Sequence, residues 1–277
     1  MLPLVIYDYK VLCHHILHEV SSIPPQLQQD CIAYYWAYTF FRGPERTKFF
    51  RHKTVVVDDG GTEEHPYWRK KVFPDYKEGR KPKTDLFYRV VDTGIDIIER
   101  LNIDYFSIPS YEADDLAAHM VKIKRLFQSF DPDHYIASRP FYLLTVDSDW
   151  LQLVGNGVIW INTGPWEPIV RGVPETIEWV KKRLRRNISH PQEIVAIKVI
   201  QGDKSDNLPA GSDPGLIDLM NPIDAYSLNG HPITSQFIES MMSHKVTVDW
   251  SKAERAYRQF QIKRLNLKEG KTMDNLE

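Results

Sequence analysis

Cysteine and long apolar runs are both scarce in this chain of 277 residues. Only Cys13 and Cys31 are present, so disulfides cannot form a framework, and a reducing cytoplasm is the expected compartment. The longest apolar runs, such as Phe141 to Val146, are far shorter than the roughly 18 residues of a membrane helix. The first residues lack the basic start of a secretory signal and favour a strand. We therefore expect a chain without disulfides, signal peptide or membrane span.

A single-sign excess of charge is also missing, because 35 Lys and Arg stand against 37 Asp and Glu. The charges are nevertheless segregated. Residues 181–277 carry a net +3, which leaves −5 for residues 1–180. Within that acidic part, the segment Arg69 to Lys83 holds seven basic and two acidic side chains. Such zones suit a polyanionic partner together with a site that recruits cations, although a solvated charged surface is usually the better explanation for any single run.

Three strand-like apolar runs end abruptly in aspartate. They are Leu4–Tyr7 before Asp8, Thr54–Val57 before Asp58, and Phe141–Val146 before Asp147. Continuous apolar runs indicate strands covered on both faces, and the stretches between them are long enough for crossover helices. We therefore predict an α/β fold with a central, mostly parallel sheet flanked by helices. The carboxyl ends of such strands line one crevice, so the three aspartates should converge there.

Further carboxylates follow a predicted helix start and two turns. Pro109-Ser110 precedes Glu112, Asp114 and Asp115 at the start of an apolar-periodic helix, where the helix dipole alone accounts for one or two acids. The candidate ligands are Asp8, Asp58, Glu112, Asp114, Asp115, Asp147, Asp149, Asp203 and Asp206. So many carboxylates in one crevice would take up protons unless cations neutralised them. Two Mg²⁺ ions, with Mn²⁺ as the alternative, fit oxygen ligands of this kind.

Two such ions about 4 Å apart form the clamp used for in-line displacement at phosphorus, so phosphodiester hydrolysis is the corresponding chemistry. The basic segment would then bind the phosphate backbone, because Lys and Arg side chains are needed to hold phosphates near a group of carboxylates. The residues expected to bind nucleic acid are Arg69, Lys70, Lys71, Lys81, Lys83, Lys181, Lys182 and Arg183. For the last three, an exposed helix face explains the charge as well as a duplex contact does.

The ordered set of motifs resembles the flap endonuclease and 5′ nuclease superfamily, and within it the T-even-type phage ribonuclease H enzymes. The resembling segments are Val5–Asp8, Val56–Asp58, Tyr67–Lys71, Pro74–Arg80, Glu112–Asp115, Asp147–Asp149 with Gln152–Val154, and Gly202–Pro209. Any one of these motifs is weak, but they occur in the family's order over residues 4 to about 215.

The resemblance implies roles for these residues. Asp8, Asp58, Glu112 and Asp114 would hold the first metal, with Asp114 also counted as catalytic, and Asp115, Asp147, Asp149, Asp203 and Asp206 would surround the second. Tyr76, Lys77 and Arg80 match a Tyr-Lys-x-x-Arg segment in the arch that holds a free 5′ end, where Lys77 and Arg80 would polarise the scissile phosphate. The arch would span about residues 65–90, and its segment Arg69 to Lys83 is expected to be poorly ordered without substrate.

The resemblance also implies the domains and the partners. Residues 1–185 would form the nuclease domain and residues 186–277 a helical DNA-binding region. The expected substrates are DNA and RNA:DNA duplexes with free 5′ ends or flaps. A single-stranded-DNA-binding or other replication protein is the expected protein partner, the chain should be a monomer, and a phage-encoded protein would work in the host-cell cytoplasm. Residues 210–217 lack the family's regular glycine hairpin, so a potassium site is not expected.

Several alternatives stay open. A catalytically silent nucleic-acid-binding scaffold would keep the fold, and a haloacid-dehalogenase-type phosphatase would also place aspartates at strand ends, although Asp8-Tyr9-Lys10 lacks that class's Asp-x-Asp pair. Cys13, His14 and His18 have spacing typical of a zinc site but no fourth ligand nearby. Aromatic residues between 34 and 41 favour helix core over a base-stacking platform. Basic residues within 252–264 predict an amphipathic helix.

Overall fold

A six-stranded sheet forms the centre of the computed structural model, which describes residues 1–46, 52–162, 169–204, 206–211 and 233–243. The strands are β1 (Leu4–Asp8), β2 (Lys53–Gly60), β3 (Asp104–Pro109), β4 (Phe141–Leu144), β5 (Val158–Asn162) and β6 (Ile169–Arg171). Their order is β3-β2-β1-β4-β5-β6. All neighbours pair in parallel except β5 with β6. The predicted mostly parallel sheet is confirmed.

Helices cover both faces of this sheet. They are α1 (Tyr9–Val20), α2 (Pro25–Arg46), α3 (Arg69–Val72), α4 (Asp85–Arg100), α5 (Ala113–Phe130), α6 (Tyr135–Ser138), α7 (Val173–Arg183), α8 (Ile194–Gln201) and α9 (Ile233–Met242). Short 3₁₀ turns occupy Ser148–Leu153 and Pro191–Glu193. Within the described residues, no helix is both long and apolar enough to cross a bilayer.

Alternate residues of each strand feed two separate cores, as the two-residue period of a strand requires. On one face, Leu4 and Ile6 of β1 pack in the core that contains α5. On the other, Val5 and Tyr7 pack with α1, α2 and α4. Burial on both faces explains why β1 and β4 are continuous apolar runs. The sheet is therefore the middle of three layers, with helices packed on each of its faces.

The aromatic stretch of α2 belongs to the second core. Trp36 and Phe40 are buried, Trp36 stacks on Tyr9 with ring centroids 5.2 Å apart, and its indole N–H donates to the Val90 carbonyl at 2.8 Å. The prediction of helix core is confirmed for these two residues. Cys13 is also buried in this core, whereas His14 and His18 are exposed, so the three side chains form no common zinc site.

The described part of the C-terminal region packs on the central sheet. Phe237 of α9 lies edge-on to Phe106 of β3, with centroids 4.7 Å apart, and α8 contributes Ile194 and Ile197 to the same core. The described residues on both sides of the predicted boundary near residue 185 thus contribute to one core. Most of residues 212–277, including the predicted helix within 252–264, lies outside the described residues.

The order of the strands determines where a crevice forms at the edge of the sheet. The chain runs outward from β1 to β2 and β3 on one side and later to β4 and β5 on the other, so the direction reverses between β1 and β4. Ligands of open α/β sheets bind at such a reversal, outside the carboxyl ends of the strands. Asp8 ends β1 at this point, and its carboxylate accepts from the Val11 N–H at 3.2 Å, which caps α1.

Candidate active site

A cavity of about 1080 Å³ opens at the carboxyl ends of the strands. Seven of the nine predicted carboxylates line it: Asp8, Glu112, Asp114, Asp147, Asp149, Asp203 and Asp206. Asp58 and Asp115 are absent from the described lining. The expected convergence of Asp8 and Asp147 is therefore observed, although they lie 139 positions apart in the sequence.

Glu112, Asp114 and Asp115 form the first carboxylate cluster, in which one oxygen of each lies within 4.8 Å of the others. The cluster exists because α5 begins here. Asp115 accepts from the Glu112 backbone N–H at 3.0 Å, which satisfies an amide that the helix leaves open. Asp115 thus groups with Glu112 and Asp114, which corrects its expected place around the second metal. Its position in the first helical turn, directly after Asp114, explains the difference.

Arg69 of α3 neutralises this cluster. Its guanidinium makes a bidentate ion pair with Asp115, at 2.7 and 3.0 Å, and also contacts Glu112 and Asp114. The Trp68 indole N–H donates to Asp115 at 2.9 Å. Arg69 is 2% exposed. Its assignment to phosphate binding is therefore corrected, because its donors face carboxylates and not solvent.

Tyr76 and Lys77 each contact both Glu112 and Asp206. The Tyr76 hydroxyl lies 2.9 Å from a Glu112 oxygen and 3.1 Å from an Asp206 oxygen, and the Lys77 ammonium forms an ion pair with Glu112. Burial acts to raise the pKa of Glu112, but Arg69 and Lys77 outweigh it and hold that pKa below its ordinary value. Glu112 is thus an ionised, buried acceptor.

Lys77 has a backbone conformation that is uncommon outside glycine, with φ of 58°. Its N–H donates to the Asp206 carbonyl at 3.0 Å, which holds the turn in place. Arg80 donates to the Asp206 carboxylate at 2.8 Å. The charge of the segment Arg69 to Lys83 leaves it little reason to pack on the acidic site unless DNA or metal is present. In this structure Lys77 and Arg80 nevertheless pair directly with the carboxylates.

Asp149, Asp203 and Asp206 form the second cluster, again with one oxygen of each within 4.8 Å of the others. The Lys198 ammonium lies between Asp149 and Asp203, at 3.1 Å from the latter. Sequence reasoning missed Lys198. The signal was available, because it is the single charged residue in the apolar run Ile194–Gln201 that forms α8.

Asp58 and Asp59 divide their roles because successive strand residues point to opposite faces. Asp58 is 4% exposed and accepts from the Tyr105 hydroxyl at 2.6 Å and from Lys10 at 3.2 Å. Asp59, which the sequence analysis did not select, lines the cavity and accepts from the Ala113 N–H at 2.9 Å. Asp59 therefore ties β2 to the start of α5.

Burial raises the pKa values of three further carboxylates at the site. Burial, reinforced by the charge of Asp59, raises the pKa of Asp8 to about 7, although Thr145 donates to it at 2.9 Å. Burial also raises the pKa values of Asp114 and Asp206, against the lowering effects of Arg69 and Lys77 respectively. The hard oxygen ligands of the two compact clusters fit divalent metal cations.

The basic residues predicted to contact nucleic acid lie in different places. Lys70 and Lys83 line the cavity, as do Lys77 and Arg80. Lys71 and Lys81 are exposed on the same segment. Lys181, Lys182 and Arg183 are exposed in the last turn of α7, where cations also favour the helix dipole. Their contact with nucleic acid stays a prediction.

Comparison with known proteins agrees with this site. Residues 25–183 match the family described as the 5′-3′ exonuclease, N-terminal resolvase-like domain. DNA polymerase I of Lactococcus lactis subsp. cremoris is 29% identical over 166 residues, which are 59% of this chain and 17% of the polymerase. A 5′-3′ exonuclease of Mycoplasmopsis pulmonis is 26% identical over 151 residues, 54% of this chain and 43% of that protein.

The fold is also similar to that of a solved exonuclease structure. A zinc-bound structure of the T5 5′-exonuclease superposes with a TM-score of 0.62 at 17% identity and covers 89% of this chain and 100% of that one. Because the family match extends over more than half of the residues, the chain belongs to the 5′-3′ exonuclease family, a class of metal-dependent nucleases. It spans less than half the length of the two curated relatives named above.

Proposed function

We propose that this protein is a Mg²⁺-dependent 5′ nuclease that hydrolyses phosphodiester bonds near the 5′ ends of DNA or RNA:DNA duplexes, including flaps. The observation that carries the proposal is the pair of carboxylate clusters in one cavity with a basic segment along its wall. Removal of lagging-strand primers by a monomer, alongside a single-stranded-DNA-binding or other replication protein, is the corresponding role.

The residues present divide naturally into two sets of ligands. Glu112 and Asp114, with Asp8 nearby in the cavity lining, would hold one cation, and Asp149, Asp203 and Asp206, with Asp147, the other. Divalent ions bound there would activate water and stabilise the leaving oxygen. Asp58 and Asp115 are proposed as positioning residues, because their carboxylates are buried and hydrogen-bonded to protein donors.

The chain's own cations act on the substrate. Lys77 and Arg80 carry their charges on the wall that faces the carboxylates, so they are placed to hold a phosphate as its negative charge grows. Tyr76 keeps its proton, since burial strongly raises the pKa of its hydroxyl, and it therefore acts as a donor to Glu112 or Asp206. These contacts orient the carboxylates toward the space between the two walls.

Cleavage of defined substrates tests the proposal. Strands labelled at the 5′ end would be assembled as flaps, nicked duplexes and RNA-primed duplexes and incubated with Mg²⁺ or EDTA. We expect cleavage near the 5′ end with Mg²⁺ alone, and the ranking of substrates reports the RNA and DNA preference. Binding without cleavage at any Mg²⁺ concentration would instead indicate the catalytically silent scaffold.

Asp114→Asn sharpens this test. Asp114 is partly exposed to the cavity, and removing its charge should abolish cleavage while leaving DNA affinity in EDTA nearly unchanged, because Lys and Arg supply most of that affinity. Asp133→Asn is the matched control, an exposed aspartate beyond the other end of α5. Equal loss of binding and cleavage in folded Asp114→Asn would contradict the proposed division.

A further inference from the structure

The cavity has a second kind of lining besides the carboxylates. Lys10, His14, Arg80 and Lys83 contribute to its wall, next to Phe87 and Tyr88 in the first turn of α4. Phe87 is buried, whereas Tyr88 is 55% exposed. Four basic side chains and two aromatic rings thus share a cavity with the carboxylate clusters. The family motifs used above do not assign His14, Phe87 or Tyr88.

Lys83 and His14 form the centre of this basic region. The Lys83 ammonium lies 2.9 Å from His14 Nε2 and 4.9 Å from the centre of the Phe87 ring, and the His14 ring lies 5.0 Å from the same ring. An ammonium group can only donate, so His14 accepts at Nε2 and is neutral in this arrangement. The Phe87 ring therefore forms an apolar surface beside both the Lys83 ammonium and the His14 imidazole.

The charge of Lys83 is not balanced by an acid. Lys10 pairs with Asp58 and Arg80 with Asp206, but Lys83 has no ion pair with any residue that the structure describes. Burial and the charges of Arg80 and Lys10 lower the pKa of Lys83, with Asp59 acting weakly in the other direction. An anion placed beside Lys83 would relieve this repulsion.

We propose that Lys83 and His14, flanked by Lys10, form a subsite for a phosphate group of the substrate strand other than the phosphate being cut. The inference rests on the proposed function, because Lys83 and His14 line the same cavity as the carboxylates that would hold the scissile phosphate. The ligand is either the terminal 5′-phosphate, a monoester of charge close to −2, or an internal diester of charge −1.

Binding in EDTA tests the subsite separately from cleavage. Recessed DNA duplexes with a 5′-phosphate or a 5′-hydroxyl would be titrated with wild type, Lys83→Gln and His14→Gln over a series of salt concentrations. We expect Lys83→Gln to weaken binding by about tenfold, the loss of one charge-assisted contact. The slope of log affinity against log salt should fall by about one phosphate contact. His14→Gln should produce a smaller loss.

Arg100→Gln is the matched control, because it removes one cation from the opposite end of α4, where Arg100 is exposed and paired with Asp96. If the ligand is the terminal phosphate, Lys83→Gln loses the affinity difference between the two duplexes. If it is an internal phosphate, both duplexes weaken equally. Wild-type affinity and salt slope for folded Lys83→Gln on both duplexes would overturn the subsite.

The outcome separates this inference from the proposed function. Absence of cleavage by wild type with Mg²⁺ would reject the nuclease activity, while the EDTA titrations would still report on Lys83. Conversely, an active wild type whose binding and cleavage are unchanged by Lys83→Gln would reject the subsite and leave the nuclease proposal standing.

Discussion

Arg69 and Asp115 form a bidentate ion pair in which both side chains are only 3% exposed. Neither side chain lines the cavity, but Arg69 belongs to α3 and Asp115 to the first turn of α5, and their neighbours Lys70 and Asp114 do line it. The pair therefore joins two helices beside the cavity, and it also neutralises a carboxylate that could not remain charged in a buried position alone.

Arg69→Met should destabilise the protein by about 3–5 kcal/mol in EDTA, because buried carboxylates lose their partner. Urea unfolding measures this change. Mg²⁺ should recover part of the loss, since a divalent ion can replace the missing positive charge, and Arg69→Lys should lie between the two proteins because it cannot bind in a bidentate manner. A loss below about 1 kcal/mol for Arg69→Met would show that the pair is not structural.

Lys77 and Arg80 should differ in stability. Removal of a surface charge usually changes stability by no more than about 0.5 kcal/mol. In the structure the Lys77 side chain is 11% exposed and pairs with Glu112, whereas that of Arg80 is 53% exposed. We expect Lys77→Ala to cost about 1–3 kcal/mol in urea unfolding and Arg80→Ala to cost little, while both slow cleavage in single-turnover assays. Equal stabilities of the two variants would contradict this ordering.

Lys198 should compete with divalent metal. Its ammonium lies between Asp149 and Asp203, so Lys198→Met should lower the melting temperature in EDTA by removing their counter-ion. Addition of Mg²⁺ should then raise the melting temperature more than in wild type, because binding to the folded state alone stabilises it. Lys204→Met, an exposed lysine beside Asp203, is the control. An identical Mg²⁺ effect in wild type and Lys198→Met would exclude competition.

His52 should make the fold sensitive to acid. It is 3% exposed, and burial lowers its pKa from 6.5 to about 4. The unfolded chain therefore binds a proton more readily than the folded chain, so stability is lost as pH falls through the window from about 6.5 to about 4. The cost approaches about 3 kcal/mol at the lower end. His52→Gln should lose less stability than wild type over this window in urea titrations; equal losses would refute the assignment.

The sequence predicted the sheet and the convergence of carboxylates because both depend on local patterns. Apolar runs mark β1, β2 and β4, and each is followed by aspartate near its carboxyl end. The strand β3 (Asp104–Pro109) was not predicted, since its exposed and half-buried residues weaken the apolar run. The arrangement of parallel strands then brings the acids together without any further information.

Long-range pairing could not be predicted in the same way. A basic residue in a charged run is usually solvated, and only the fold reveals that Arg69 is buried against α5. The separation of Asp58 from Asp59 required the point at which β2 ends, which is Gly60 and not Val57. Lys198 was detectable, because a single lysine in an apolar helix calls for a buried partner.

The two walls of the cavity differ in how much apolar area secures them. The α5 wall continues into the main core, with Leu116, Ala117 and Met120 fully buried. The opposite wall has a small cluster of its own, built around Trp68, Tyr76 and Leu208, and otherwise depends on ion pairs. Because local opening is easier where fewer apolar contacts are buried, we expect the Trp68 wall to have the lower free energy of opening. Its backbone amides should therefore exchange with solvent deuterium sooner than those of α5, and a strand that bridges the cavity should slow exchange on that wall alone.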